Sequence, residues 1–339
     1  MNPEFREDAP QSPKREATPA KQKPKTPGTR RNLLAEWTTA LLSIGLGESM
    51  LRVGTAILSI ILVMAAIWLL SLFNEKIPQS PKKLIAISAG AATACLFYAR
   101  PGKRGAEWGL NYYAHALADV RTNANWANLF STEPVFPHHQ IYRAALKNIL
   151  GGGLDLIKKG PAIEIGLAKT PRWLGPRLSV AVGLTVYNLE KYFKKSLHPT
   201  LGKSIGFTRE FIKAQDCSTE DDLIELILQS SCTPPFTPVM YRGGQAVLDG
   251  GLVDNVPIDG LTPASNGSPR SEVLVLLTRR YPQPDYLVRE LPGLRLTYVQ
   301  PSHPVPISSW DYAHHELMPI TYQQGRDDAE LAFSKGLFA

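Results

Sequence analysis

The fold class is decided by one short stretch, Leu84-Ile85-Ala86-Ile87-Ser88-Ala89-Gly90-Ala91. Its first four residues form an apolar run, which is typical of a short buried strand. The alanine-rich residues 89–100 follow at once and predict a helix. A serine between a strand and a helix lies on a tight turn that holds its hydroxyl out at the end of the sheet. The pattern therefore indicates an α/β protein, and the alternative for residues 84–99 is the second limb of a transmembrane hairpin.

Beyond residue 100 the chain continues to alternate between helix and strand patterns. Glycine, proline and serine mark the turns between the segments. Alternation of this kind predicts an α/β fold with a mostly parallel central sheet that is covered by helices on both faces. The pattern predicts helices at 108–120, 140–150, 179–186 and 221–229, and strands at 84–87, 162–167, 247–248 and 273–277.

The apolar content and the cysteines exclude two classes of protein. The chain has 339 residues, of which 44% are hydrophobic, so it can bury a sizeable core. Its three cysteines, Cys95, Cys217 and Cys232, are odd in number and far apart, which excludes a disulfide-stapled scaffold. Because no cysteines have zinc-site spacing and no histidines are spaced i,i+4, we expect neither a metal nor a cofactor.

The positive charge is concentrated at the N terminus. The formal net charge is +7, and residues 1–32 hold eight Lys or Arg residues against four Asp or Glu residues. The rest of the chain carries an ordinary charge, which gives no reason to expect a nucleic-acid partner. Residues 1–32 are proline-rich and poor in apolar side chains, so we expect a disordered arm. Its cations suit an anionic membrane surface.

Residues 33–76 are expected to associate with a membrane. A rough amphipathic stripe over residues 33–51 is followed by residues 53–73, which contain no charge. At about 1.5 Å per residue, a helix of this length spans about 30 Å, the hydrocarbon thickness of a bilayer. The alternative is a helix buried inside an α/β domain. The segment predicts a single-pass membrane protein. The orientation of the span stays open, because basic residues flank both of its ends.

A second stretch, Asp249-Gly250-Gly251, follows the short apolar strand of residues 246–248. The two glycines lack a Cβ, so the backbone of this loop can approach another group closely. An aspartate placed here can accept the proton of a serine without an intervening histidine. The alternative is a glycine-rich hairpin turn that carries a solvated aspartate.

Together, and in this order, the two stretches resemble the patatin-like phospholipases of the bacterial type. That family uses a serine in G-x-S-x-G and an aspartate in D-G-[GA]. Residues 230–239 resemble the family segment A-S-x-A-x-P-x-x-F-x-P-V, and residues 249–257 resemble its D-G-G-x-x-D-N-x-P segment. The similarity covers residues 84–335 and implies a patatin-like three-layer α/β/α domain there, after an atypical N-terminal region.

By this resemblance, Ser88 is the nucleophile and Asp249 is its general base. The serine would attack a lipid acyl ester and form an acyl-serine that water cleaves. We then expect Ser88 Oγ and an Asp249 carboxylate oxygen within hydrogen-bond distance, roughly 2.6–3.2 Å. From the residues alone, a Ser-His-Asp triad with one of the seven histidines stays open. The lipid class and the oligomeric state also stay open.

The oxyanion site is where the sequence departs most from the family. The family's glycine-rich loop is replaced here by Ile44-Gly45-Leu46-Gly47-Glu48-Ser49. The candidate donors are the N–H of Ala89, at the helix start, and those of Gly45 to Gly47. Loss of one oxyanion donor costs about 10²–10³ in rate, so we expect slow or undetectable ester hydrolysis. Donation by residues 45–47 would also require residues 53–73 to pack on the sheet, which conflicts with a membrane span.

Two functions of different classes follow. The first is a membrane-associated serine acylhydrolase, whose partners are a lipid acyl ester and the membrane surface. It rests on Ser88 and Asp249. The second is a catalytically impaired patatin-like membrane protein that serves as a lipid-binding or interaction module. It rests on the missing glycine loop. Ala86, which stands where the family motif has glycine, is the milder departure.

Overall fold

The computed structural model describes residues 81–100, 103–189, 197–198, 201–264, 269–307 and 310–335. The arm predicted at residues 1–32, the segment at 33–76 and the membrane span at 53–73 lie outside these described residues. Within the described ranges, no helix is both long enough and apolar enough to cross a bilayer.

The first sheet has five strands, and most of their pairings are antiparallel. Its strands are β1 (Lys83–Ile87), β2 (Ala162–Lys169), β3 (Thr208–Lys213), β4 (Met240–Arg242) and β5 (Gln245–Asp249). The strand β1 pairs in parallel with β2, whereas β3 and β5 both run antiparallel to β2, and β4 to β5. The predicted α/β class is confirmed, but the mostly parallel sheet is wrong for the part of the chain that the structure describes.

Helices connect the strands and pack on them. They are α1 (Ala89–Ala99), α2 (Lys103–Leu117), α3 (His138–Leu150), α4 (Leu154–Lys159), α5 (Pro176–Leu189), α6 (Leu201–Ser204), α7 (Glu220–Ser230) and α8 (Met318–Ser334). The helix α1 contacts β1 and β2, α7 contacts β2 and β5, and α5 contacts β5. The predicted stacking into three layers stays a prediction.

The antiparallel pairings follow from where the connections return. Parallel pairing requires a crossover that returns to the starting end of the sheet, and α1 to α4 make one between β1 and β2. The connection from β2 to β3 instead returns at the same end, because Thr208 pairs with Lys169. A two-residue turn joins β4 to β5, and Gly243 and Gly244 both have a positive φ there.

Small side chains let α1 lie deep in the core. Ala89, Ala91 and Cys95 are fully buried. The neighbouring chain also comes close, because a Cβ on Gly153 would lie 2.4 Å from the Cβ of Ala99. Residues 84–99 are therefore a sheet strand followed by a core helix, and the transmembrane-hairpin alternative is wrong for them.

A second sheet follows in the chain and has its own small core. Its strands are β6 (Ser271–Leu276), β7 (Tyr286–Leu291) and β8 (Leu294–Val299). The strand β8 is parallel to β6 and antiparallel to β7. Leu296 and Tyr298 of β8 are buried in a small cluster that also contains Val256. Val256 lies just beyond the aspartate loop of the first sheet.

Candidate active site

Ser88 lies on a strained turn between β1 and α1. It has φ 52° and ψ −129°, and it is the N-cap residue of α1. A non-glycine residue with positive φ costs about 1–3 kcal/mol, which the surrounding structure must offset. Ser88 is also buried, with 1% of its surface exposed. The strand–serine–helix turn predicted from the sequence is therefore present, and its backbone is held in an unfavourable conformation.

The side chain of Ser230 holds this turn in place. Its Oγ accepts a hydrogen bond from the backbone N–H of Ser88 at 2.8 Å and donates one to the carbonyl of Gly166 at 2.6 Å. Ser230 ends α7 and is completely buried. It therefore ties the end of β1 to β2. In the sequence, Ser230 is only the first residue of the family-like segment 230–239, and its role is not predicted. That segment is the sequence feature that could have pointed to Ser230.

The strands β1 and β5 point toward each other along one edge of β2. The strand β3 occupies the other edge over residues 164–169. On the shared edge, Ile87 pairs with Gly166 and Asp249 pairs with Leu167, the next residue. Because β5 is antiparallel to β1, both strands end at this level of β2. The structure thus brings the residue after β1, Ser88, and the last residue of β5 to the same point of the sheet.

The two glycines after Asp249 have different roles. A Cβ on Gly250 would lie 2.0 Å from Cγ2 of Ile87 and 2.6 Å from the carbonyl oxygen of Gly166. Only glycine therefore allows this loop to reach the end of β1. The N–H of Gly251 donates to Oδ1 of Asp249 at 2.8 Å and orients the carboxylate. The close approach expected of this loop is confirmed.

The small residues around Ser88 are less constrained than the sequence suggested. A Cβ on Gly90 would meet no atom within 4 Å, so sterics do not require glycine there. Ala86 is half-buried and pairs with Ile165 of β2. Close packing around the serine turn therefore does not account for the glycine at position 90.

Asp249 is enclosed rather than solvated. Only 6% of its surface is exposed, and its N–H donates to the carbonyl of Cys232 at 2.8 Å. The alternative of a solvated aspartate on a hairpin turn is wrong. Burial raises the pKa of the neighbouring Cys232 thiol to about 12. That thiol is protonated at neutral pH and is a poor nucleophile.

A buried ion pair fixes the rest of the aspartate loop. The carboxylate of Asp254 accepts hydrogen bonds from Arg209 Nη2 at 3.0 Å and from the N–H of Val256 at 3.0 Å. His198 Nδ1 also lies 3.0 Å from Asp254 Oδ1. Asp254 is 3% exposed, so this pairing keeps the loop rigid where it leaves the site.

Histidines within the described residues pair with other aspartates. His198 contacts Asp254, and His314 Nδ1 lies 2.8 Å from Oδ2 of Asp311. His138 is fully buried among aromatic rings, and its Nε2 is 2.7 Å from the carbonyl of Trp310. These two Asp–His pairs are built on Asp254 and Asp311, which are not the aspartate that precedes the two glycines.

A small apolar pocket lies beside Asp249. Three of its eight lining residues lie in α5, whose Gly183 approaches Leu248 so closely that a Cβ there would lie 2.7 Å from Leu248 Cδ1. Its lining residues are Gly183, Leu184, Tyr187, Cys232, Thr233, Leu248, Asp249 and Leu252.

The predicted oxyanion donors divide into two groups. Ala89 is the first residue of α1, so its N–H has no acceptor within that helix. This N–H lies at the positive end of the helix dipole, where negative charge is stabilised. Gly45 and Gly47 lie outside the described residues, and their role as donors stays a prediction.

The fold and these residues define an α/β protein built around a strand–serine–helix turn, the arrangement used by serine acylhydrolases. The family model for patatin-like phospholipase matches residues 54–262, which is more than half of the chain. The chain therefore belongs to the patatin-like phospholipase family, a family of lipid acyl hydrolases. The match contains Ser88 and Asp249, and it begins inside the charge-free segment of residues 53–73. No curated protein matched the chain in a direct comparison.

Proposed function

We propose that the protein is a membrane-associated serine acylhydrolase that cleaves lipid acyl esters with Ser88 and Asp249. The observation that carries this proposal is the meeting of β1 and β5 at Gly166 and Leu167 of β2. This arrangement puts a strained serine and a buried carboxylate at one point of the sheet. Strained backbone concentrates at functional sites, where it is offset by the surrounding structure.

The reaction proceeds in two halves. In the first, Asp249 accepts the proton of Ser88 while Oγ attacks the ester carbonyl carbon. The tetrahedral intermediate then collapses, the carbon–oxygen bond of the ester breaks, and the leaving alkoxide takes the proton from Asp249. In the second half, Asp249 accepts a proton from water, the hydroxide attacks the acyl-serine, and Ser88 is released with its proton restored.

The N–H of Ala89 is the donor that we assign to the oxyanion. It lies at the start of α1, beside the nucleophile, and the helix dipole adds to its effect. An intermediate held by one such donor is less stable than one held by several. We therefore expect turnover that is slow by about 10²–10³ relative to a complete oxyanion site.

Membrane association is proposed from the N-terminal sequence. Residues 53–73 carry no charge and are long enough for a bilayer, and the basic arm of residues 1–32 suits an anionic surface. Carbonate extraction of membranes that contain the full-length protein tests a spanning helix. Retention in the membrane pellet is expected, and release into the soluble fraction would favour a helix packed within the domain.

A fluorophosphonate probe tests the nucleophile even if turnover is slow. We expect covalent labelling of the full-length protein that is lost in Ser88→Ala and slowed in Asp249→Asn. Ser231→Ala is the matched control, since Ser231 is a buried serine near the same site. Labelling that persists in Ser88→Ala would refute the assignment of the nucleophile.

The second candidate is a catalytically impaired lipid-binding module. The stretch of residues 44–49, which lacks consecutive glycines and a basic residue, favours it. A folded protein that binds lipid and shows no Ser88-dependent labelling would be the expected behaviour of this candidate.

A further inference from the structure

The segment that follows β2 and carries the exposed Trp173 lies at the end of the first sheet where Ser88 lies. Among the described residues, the large hydrophobic side chains with the greatest exposure are Phe130 at 85% and Trp173 at 72%. A contiguous exposed apolar patch that polar residues border marks an interaction site. The position of Trp173 makes this end of the first sheet the candidate contact surface.

Trp173 is close to the site along the chain and across the sheet. The strand β2 reaches the level of Ser88 at Leu167 and ends at Lys169. The following residues Thr170 and Pro171 are buried, and Trp173 then extends into solvent. Because β1 and β2 are parallel, Trp173 leaves the sheet at the same end as Ser88.

Phe130 lies four residues after Trp126, from which a row of aromatic rings leads toward the pocket beside Asp249. It belongs to the short 3₁₀ helix Trp126–Phe130, and the ring of Trp126 lies 6.0 Å from that of Phe136. Phe136 in turn lies 5.2 Å from Phe236. Phe236 donates its N–H to the carbonyl of Thr233, which lines the pocket beside Asp249. This row of rings therefore links the Trp126–Phe130 segment to the pocket.

The charges on the Trp173 side favour an anionic partner. Arg172 and Arg177 are exposed beside Trp173 and Leu178, and Leu178 is 55% exposed. The sequence has no acidic residue between positions 170 and 189. Tryptophan and arginine side by side on a protein surface suit the interface of a bilayer, where the ring enters the headgroup layer and the cation meets lipid phosphate.

The helix α5 joins this surface to the pocket. Leu178 lies in its first turn, whereas Gly183, Leu184 and Tyr187 of the same helix line the pocket beside Asp249. From residue 178 to residue 187 the helix rises about 14 Å, at 1.5 Å per residue. A lipid held at the N-terminal end of α5 is therefore within acyl-chain reach of the carboxylate.

We propose that residues 172–178 form a docking surface for an anionic lipid bilayer and direct acyl chains along α5 toward Ser88 and Asp249. This inference rests on the proposed function, because it takes a lipid ester as the substrate. It differs from the N-terminal membrane segment, since it assigns the contact to the described domain itself.

An environment-sensitive NBD label at Leu178→Cys tests the docking surface. The three native cysteines are buried, so the introduced thiol is the reactive one, and the unsubstituted chain treated in the same way gives the blank. Leu156→Cys is the matched control, because Leu156 is 46% exposed and lies in α4, just before β2 begins at the opposite sheet end. Both labels are placed in the full-length Ser88→Ala protein, so that hydrolysis does not change the vesicles.

With vesicles of phosphatidylcholine and phosphatidylserine, the label at 178 should gain intensity and shift to shorter wavelength, while the label at 156 should stay unchanged. Replacing Arg172 and Arg177 together by Gln should raise the lipid concentration for half-maximal signal by about 30-fold, since each cation near an anionic surface contributes about fivefold. Equal responses at 178 and 156, or no response at 178, would overturn the docking surface. Neither result affects Ser88-dependent fluorophosphonate labelling, which tests the proposed function separately.

Discussion

Replacing Ser230 by alanine should loosen the turn that carries the nucleophile. The hydroxyl of Ser230 accepts from the N–H of Ser88 and donates to the carbonyl of Gly166, and all three groups are in the interior. Alanine removes both bonds at once. Loss of the Ser230 acceptor for the N–H of Ser88 should by itself lower the free energy of unfolding by about 1–3 kcal/mol.

The same substitution should slow the reaction of Ser88. The strain of its positive φ is worth about 1–3 kcal/mol, which is similar to the energy that the Ser230 hydroxyl supplies. Without that bond, Ser88 can relax to an ordinary φ and withdraw its Oγ. If this energy appears in the barrier, the second-order rate of fluorophosphonate labelling falls about tenfold to a hundredfold, at about 1.4 kcal/mol for each factor of ten.

Ser231→Ala provides the comparison. Ser231 is the next residue and is equally buried, but its Oγ lies 3.5 Å from the hydroxyl of Tyr142, at the limit of a hydrogen bond. Urea unfolding measures the stability of both variants, and labelling is compared at a temperature where both are folded. A Ser230→Ala variant that is less stable yet labels at the wild-type rate would refute the positioning role. Equal slowing in both variants would refute it too.

Three further outcomes are expected. Gly250→Ala should lose about 1–3 kcal/mol of stability and most labelling, because the added Cβ meets β1, whereas Gly90→Ala, with open space, should be tolerated. Arg209→Ala should lower the free energy of unfolding by about 1.5–3 kcal/mol in urea titration, because it removes the guanidinium partner of buried Asp254, and wild-type stability would contradict this. Burial lowers the pKa of His138 to about 4 from 6.5, so the unfolded chain binds more protons between these values. Stability should therefore fall by about 3 kcal/mol as pH drops from about 6.5 to 4, and His138→Phe should remove that pH dependence.

The sequence predicted well the elements that carry a local signal. The helix after Ser88 ends at Ala99, within a residue of the expected end, because its alanines are specified by close packing. The helix expected at 221–229 is α7, whose N-cap Thr219 forms a capping box with Asp222. Such signals lie within a few residues of one another, so one sequence is enough to detect them.

Sheet pairing and buried contacts were less predictable. The direction of β3 and β5 depends on the end at which a long connection returns, and no local pattern records that. The strands β7 and β8 were missed, because residues 286–291 mix exposed charges with apolar residues. The role of Ser230 depends on two backbone groups, at Ser88 and Gly166, that are distant in sequence. A serine at the end of a helix has no sequence feature that distinguishes this role from a cap.

The beginning of the domain is where the sequence arguments compete. The family match starts at residue 54, so it includes all but the first of the charge-free residues 53–73, which also have the length of a membrane span. A buried helix of the domain and a spanning helix require the same apolar composition. The two kinds of helix differ in the contacts that surround them, and the amino-acid composition does not reveal those contacts.

Fatty-acid release from phospholipid vesicles tests the central claim most directly. Initial rates are compared for the full-length protein, Ser88→Ala and Asp249→Asn, which keeps the shape of the carboxylate and removes its basicity. We expect slow release by the unsubstituted protein, none above the buffer blank with Ser88→Ala, and a loss of about 10²–10⁴ with Asp249→Asn. Release by Ser88→Ala at the rate of the unsubstituted protein would contradict a serine acylhydrolase built on Ser88 and Asp249.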